Sequence, residues 1–315
     1  MKSIVATLLF WSVCAIAAEP PRLLVTTDIG GDPDDVQSLV RLLHYATEFR
    51  IEGLIASSAG LPGQLKEPIV CDDELLRIIA STGDWRTNLA SKVRRGSVAR
   101  GRDAIGEGCD TPASRHIVDC IDAACESDRL NIAIWGGQTD FAQALWRIKN
   151  DRSAEDLNQF IKKIRVYDTM DQDGLADWIH DEFQGLHYIL TKRTFRGMYL
   201  GGDEALTSRQ WIDEHIHGRS ALCNLYPDRT YTKPNPEGGV KEGDTPSWLF
   251  FLPRGGNDPD DPSKPGWGGR FVKGDDGWWH DLPDGAMESV SVHRKEIQED
   301  FARLTAAKGN AIVTM

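Results

Sequence analysis

The chain has 315 residues and a formal net charge of -12, with 40% hydrophobic and 27% charged residues. That composition is ordinary for a globular protein able to bury a core, and the length fits one large domain or two modest ones. The acidic balance argues against nucleic acid or an anionic membrane surface as the main partner, since both need basic patches.

The chain opens "MKSIVATLLFWSVCAIAAEPP", with Lys2 ahead of an apolar run from Ile4 to Ala17. The run is shorter than the ~20 residues a membrane span requires, and Ala15 and Ala17 are small residues placed for a cleavage site. The pattern predicts a signal peptide over residues 1–18, cut before Ala18 or Glu19. The expectation is a secreted or periplasmic domain over residues 19–315, off the membrane once the signal is removed. Cys14 leaves with the signal. Cys71, Cys109, Cys120, Cys125 and Cys223 remain, an odd set that leaves at least one thiol unpaired within the chain, and none has zinc-type spacing.

Leu23 to Thr27 reads as a buried strand. After an acidic loop, Val36, Leu39, Val40 and Leu43 recur at helical spacing, and "FRIEGLIASS" gives a second strand. Helices follow at "DDELLRIIAST" and "ASRHIVDCIDAAC", then a strand at "LNIAIWGG" and a helix at "TDFAQALWRI". "IKKIRVYDT" and "GLHYILT" add strands, and "SRQWIDEHI" a helix. Alternating strands and helices predict an α/β fold with an open, mostly parallel, doubly wound sheet in one domain. From Tyr226 to Gly285 the sequence is rich in Pro, Gly, Trp and Asp, and only "TPSWLFFL" reads as ordered. "VHRKEIQEDFARLTAAKG" closes the chain as a polar amphipathic helix.

The acidic loop, "TTDIGGDPDDVQSLVRLL", holds Asp28, Asp32, Asp34 and Asp35 between a buried strand and a helix start. Open α/β sheets place ligands beyond the carboxyl ends of their strands. Helix capping and the helix dipole account for one or two carboxylates there, but not for the whole set. Carboxylates packed this closely repel or share protons unless a cation joins them, and hard oxygen ligands favour Ca²⁺ over Mg²⁺. Gly30 stands where an EF-hand loop needs a side-chain oxygen, so that motif is excluded. The same tetrapeptide recurs at Asp258 to Asp261, but Pro253, Pro259, Pro262 and Pro265 crowd it. It reads as an exposed loop of solvated turn residues and a candidate lid.

The aspartate loop resembles the N-terminal motif of the nucleoside hydrolases, in a variant with an extra Asp before the final pair. With "DQD" at Asp171 to Asp173, "EGDTPSWL" at Glu242 to Leu249 and "GWGGRF" at Gly266 to Phe271, it is most similar to exported nucleoside-hydrolase-like proteins grouped with a cellulose-binding protein. A β-rich C-terminal module often follows in that group, and none is expected within residues 19–315. The resemblance implies that Asp28 and Asp35 hold Ca²⁺, that Thr139 in "IWGGQTDFAQAL" lends a backbone carbonyl and that Asp244 completes the site. It further implies that Asp34 is the general base toward a water at the metal. Asp32, Ser58, Asp173 and Trp178 are weaker candidates for contact with substrate.

The likeness weakens where those enzymes read ribose and base. Gly243 stands where a His often precedes the distant metal Asp, Ser57 or Ser58 replaces a sugar-contacting Asn, and "YDTMDQDGLADW" occupies the place of a Glu-Phe-Asn segment. The reading is therefore a secreted Ca²⁺-dependent glycosyl hydrolase cleaving an N-glycosidic or related bond in a small-molecule glycoside or carbohydrate. The competing reading is a non-catalytic carbohydrate-binding protein that keeps the Ca²⁺ loop. Trp267, Trp278 and Trp279 read either as sugar platforms or as cover for the core edge. His180, His187 and His293 read as structural, and homo-oligomer formation stays open.

Overall fold

Arg22–Thr27 is buried at every position, and alternate side chains enter opposite cores: Leu23 and Val25 one, Leu24 the other. A strand covered on both faces is what a parallel sheet with helices on each side demands. The computed structural model describes residues 19–59, 68–228 and 238–312, so the predicted signal peptide lies outside the described residues. In chain order the elements are β1 (Arg22–Thr27), α1 (Asp34–Tyr45), β2 (Arg50–Ala56), α2 (Asp72–Ala80), β3 (Val93–Arg95), α3 (Pro112–Asp122), β4 (Leu130–Ile134), α4 (Gln138–Asp151) and α5 (Ala154–Lys162). They continue with β5 (Ile164–Thr169), α6 (Ala176–Glu182), β6 (Tyr188–Thr191), α7 (Arg209–His215), α8 (Thr245–Leu249), β7 (Phe271–Lys273), β8 (Trp279–Asp281), α9 (Glu288–Ser291) and α10 (Arg294–Ile312).

The eight strands form one sheet in the order β3-β2-β1-β4-β5-β6-β8-β7, parallel except for the β7–β8 pair. The chain winds outward from β1 through β2 to β3, then returns beside β1 at β4 and winds the other way. That reversal opens a crevice at the carboxyl ends of β1 and β4, where such sheets bind ligands. One core packs α1, α8 and α10 against the sheet, and the other packs α3, α4 and α5.

The stretch after Tyr226 departs from the irregular segment expected. β7 and β8 lie within it and extend the sheet, and its tryptophans close that edge. Trp278 stacks on Tyr188 with ring centroids 4.0 Å apart, and Trp267 sits against Arg254 while donating to Glu296 at 3.1 Å. These rings serve as core cover. The second DPDD sits at the wrong end of the sheet for a lid. Asp260 accepts from Arg129, which precedes β4, and from Arg165 near the start of β5, at 3.2 and 2.8 Å. It lies at the amino ends of the strands, opposite the crevice. The five described cysteines are all free thiols. Among the described residues, no helix is long and apolar enough to cross a membrane.

Candidate functional site

The acidic loop leaves β1 through a turn that glycine makes feasible: Gly30 has φ +105, outside the range comfortable for a side chain. Pro33 is the N-cap residue of α1, with no side-chain capping bond, so the neighbouring aspartates are not consumed in capping. Asp34 and Asp35 occupy the first helical turn, where the helix dipole favours negative charge. Thr27 Oγ1 donates to Asp35 Oδ1 and fixes that side chain. Asp28 lies against the backbone just after β4, where a Cβ on Gly136 would come within 2.5 Å of Asp28 Cγ. A glycine is therefore required there.

Asp244 reaches the same spot from far along the chain, and the polar face of α1 brings it. Gln37 donates from Nε2 to the carbonyls of Gly239 and Pro227, at 3.0 and 2.7 Å, and its Oε1 accepts from the Lys241 amide at 2.7 Å. Arg41 makes a two-pronged ion pair with Glu242, at 2.5 and 3.0 Å, with both side chains sealed from solvent. Tyr226 also donates to Glu242, as does Thr245 at 2.8 Å. These contacts clamp residues 239–245 onto α1. Asp244 is the N-cap residue of α8, yet its side chain makes no capping bond.

Asp34, Asp35 and Asp244 each place a carboxylate oxygen within 4.8 Å of the others. Burial pushes the Asp28 carboxyl up to about 7, with the charge of Asp34 adding to the rise and Arg100 opposing it. Burial also raises Asp34 to about 7, against the pull of the Lys241 ammonium. Asp35 and Asp244 stand well above the usual carboxylate range, first through burial and then through each other and their acidic neighbours. Lys241 contacts Asp32 and lies 3.7 Å from Asp34 Oδ2. One ammonium beside Asp28, Asp32, Asp34, Asp35 and Asp244 leaves excess negative charge among the described residues. A divalent cation with oxygen ligands matches that donor set.

The cluster floors a cavity of about 430 Å³, whose lining includes Asp28, Asp32, Asp34, Asp35 and Asp244. Thr139, Asp173, Trp178 and Ser58 are not part of that lining. Thr139 stands in the first turn of α4, with its amide and hydroxyl donating to Asp173 at 2.8 and 2.6 Å. Asp173 also pairs with Arg100 at 2.9 Å. Trp178 packs edge-on against Phe183 under Arg102. Ser58 is buried just past β2, and its hydroxyl has no partner among the described residues.

More of the wall comes from Thr169 at the end of β5 with Met170, Asp171 and Gln172 after it, within the segment set against the Glu-Phe-Asn stretch, and from Phe195, Arg196 and Tyr199 after β6, which the motif reading passed over. Met170 and Asp171 have φ of 83 and 54, positive values at consecutive non-glycine residues. Such strain gathers where a site constrains the backbone. For the segment after β6 the available clue in sequence was position alone, since it follows the carboxyl end of a predicted strand. Lys241 had a subtler one, as a lone cation three residues before Asp244. At Gly243 an added Cβ would come 3.2 Å from the Phe195 ring and 3.7 Å from Asp34 Oδ2, so Phe195 crowds the place where a larger side chain would enter.

Comparison with solved structures gives two informative likenesses. A nucleoside hydrolase-related hypothetical protein from Saccharophagus degradans, described as associated with carbohydrate metabolism, is 28% identical and superimposes with a TM-score of 0.76. The match covers 92% of this chain and 72% of that one. The effector protein XOO4466 shares the fold at 13% identity and a TM-score of 0.54, over 92% of this chain and 94% of that one. No curated protein matches the sequence. Residues 22–271 match the family described as "Cellulose-binding Sde182, nucleoside hydrolase-like domain", which takes in β1, the acidic loop and Asp244. With the aspartate cluster at the switch point of its sheet, the chain belongs to this nucleoside hydrolase-like family.

Proposed function

We propose that the cavity is a calcium-dependent glycosyl hydrolase site, in which Asp28, Asp35 and Asp244 hold the cation and Asp34 is the general base. The observation that carries this reading is the convergence of Asp34, Asp35 and Asp244 from distant segments to within 4.8 Å of one another, at the base of a cavity. Bound there, Ca²⁺ supplies a Lewis acid that acidifies water and a template for sugar hydroxyls. Asp34 is the most exposed member of that trio and faces the cavity, so it can accept a proton from a water entering above it. The surrounding carboxylates favour positive charge building on a sugar ring as its glycosidic bond lengthens. The bond cleaved is N-glycosidic or a related glycosyl bond, and the carbohydrate association of the solved relative is consistent with a sugar ligand.

The test is release of base or nitrophenol from a panel of nucleosides and nitrophenyl glycosides in calcium buffer, with Asp34→Asn alongside. Turnover that persists unchanged in the variant removes Asp34 as the base. Absence of turnover across the panel favours a second reading, capture of carbohydrate without cleavage. One observation supports that alternative: Gly243 offers no group to protonate a leaving base, and Phe195 crowds the position. Retention on cellulose or a plant glycan without release of product separates it from the first.

A further inference from the structure

The cavity wall carries a guanidinium that the reading above does not use. Arg196 lines the cavity with the aspartates, yet it makes no ion pair among the described residues. Its polar contacts are long: Nε to the Lys192 carbonyl at 3.4 Å and Nη2 to the Met170 sulfur at 3.8 Å. Its face lies 5.2 Å from the Phe195 ring centre, which holds the plane without using its donors. Arg41, Arg100, Arg147 and Arg165 by contrast are each paired with an acid at 2.5 to 3.2 Å. Arg196 thus lines an acidic cavity without an acid partner among the described residues.

Two further donors stand beside it. Thr169, 2% exposed and part of the same lining, has a hydroxyl with no partner among the described residues. Tyr199 lines the wall as well, its phenol raised by burial and within the field of Arg196, Asp34 and Asp244. Its hydroxyl makes no hydrogen bond among the described residues. The segment bearing Arg196 and Tyr199 is held rigid from behind. Buried Arg294 donates to the carbonyls of Gly197, Leu200 and Gly201 at about 2.5 Å. The cavity thus combines a carboxylate cluster that suits a cation and sugar hydroxyls with a guanidinium whose N–H donors meet no acid among the described residues.

We propose that the glycoside taken by this cavity carries a carboxylate on its sugar, as a uronosyl residue does, and that Arg196 is the residue that selects it. The inference rests on the glycoside reading above and names its substrate class. Guanidinium binds an oxyanion through two parallel hydrogen bonds, which a neutral hydroxymethyl group cannot return. Sugar carboxylates and sugar phosphates share that chemistry. One unpaired guanidinium balances a monoanion, whereas a phosphate dianion beside the six aspartates of the lining would keep an uncompensated charge, so carboxylate is the better match.

The test is calorimetric binding of three probes that share an aglycone: 4-nitrophenyl β-D-glucuronide, 4-nitrophenyl β-D-glucoside and the glucoside 6-phosphate. The glucuronide is expected to bind about tenfold or more tightly than the glucoside, the gain of one charged hydrogen-bonded contact. Arg196→Met should level the two affinities, and Arg196→Lys, which keeps the charge without the fork, should restore part of the gap. Equal binding of glucuronide and glucoside by the native protein overturns this inference while leaving the glycoside reading standing. So does a preference that survives Arg196→Met, or tighter binding of the phosphate. Failure of all three probes to bind removes both readings together.

Discussion

Asp34 stands between opposing fields, with the Lys241 ammonium 3.7 Å away on one side and Asp35 and Asp244 on the other. Replacing it with Asn keeps shape and polarity but removes the proton acceptor. The expected result is loss of turnover by about 100-fold or more, with an unchanged melting curve in calcium buffer. Gly136 acts on the same cluster sterically. Gly136→Ala would drive a methyl into Asp28, and calcium affinity should fall on the order of 10- to 100-fold, as it does when the groups that orient a ligand are disturbed. Titration of the cluster has a definite sign. Asp28 and Asp34 titrate near 7 in the folded, metal-free chain and near 4 when unfolded. Their contribution to stability is therefore complete at acid pH and is lost as pH rises through 7. His187 works the other way, held neutral by burial with its value near 4, but its loss falls below pH 6.5. Between pH 6.5 and 8 the chelated protein should thus melt at progressively lower temperature, and calcium should restore the loss. A chelated protein whose melting temperature rises across that window would contradict the charge balance proposed for the site.

Helix α1 shows how much of the architecture was legible in sequence and where legibility stopped. Its apolar spacing at Val36, Leu39, Val40 and Leu43 correctly marks a helix, and the strand before it and the aspartates between them locate the crevice. The same spacing predicts a polar, solvated opposite face. Instead Gln37, Ser38 and Arg41 are buried as well, because residues 239–245 dock on them, and His44 is covered by Cys223 and Phe301. No local pattern can announce a partner some 200 residues distant. Asp244 could be tied to the site only through its resemblance, and Arg41 and Glu242, which deliver it, are indistinguishable in sequence from surface charges. For the same reason β7 and β8 escaped notice: strands of three residues surrounded by Gly and Pro have no periodicity to read. Breaking the clamp should be costly. Arg41→Met leaves Glu242 buried without its charge partner, and urea unfolding should register a loss of about 3–5 kcal/mol. The paired change Arg41→Met with Glu242→Gln should cost less, because no lone charge remains buried. Both variants should also bind calcium more weakly, since Asp244 rides on the clamped segment.

At the scale of the whole molecule, the order of strands determines what the site can be. The reversal between β1 and β4 puts Asp28, the α1 N-terminus and the α8 N-terminus around one opening, and the second core locks that arrangement from the other face of the sheet. The wall after β5 and β6 then decides what enters. The sequence marked the β5 part of that wall only as a segment that departs from the ribose-gripping pattern, and Arg196 and Tyr199 gain meaning only when two loops meet. Export is proposed on the N-terminal segment. Expression of the full chain in a bacterial host should yield periplasmic protein beginning at Ala18 or Glu19 by N-terminal sequencing, and a retained Met1 would argue against it. The central claim is that the aspartate cluster binds a cation, and calcium titration calorimetry on the native protein and on Asp244→Asn tests it most directly. The account predicts a saturable site in the native protein that is lost in the variant while the fold persists; native protein that takes up no calcium, or a variant that binds as tightly as the native chain, would contradict it.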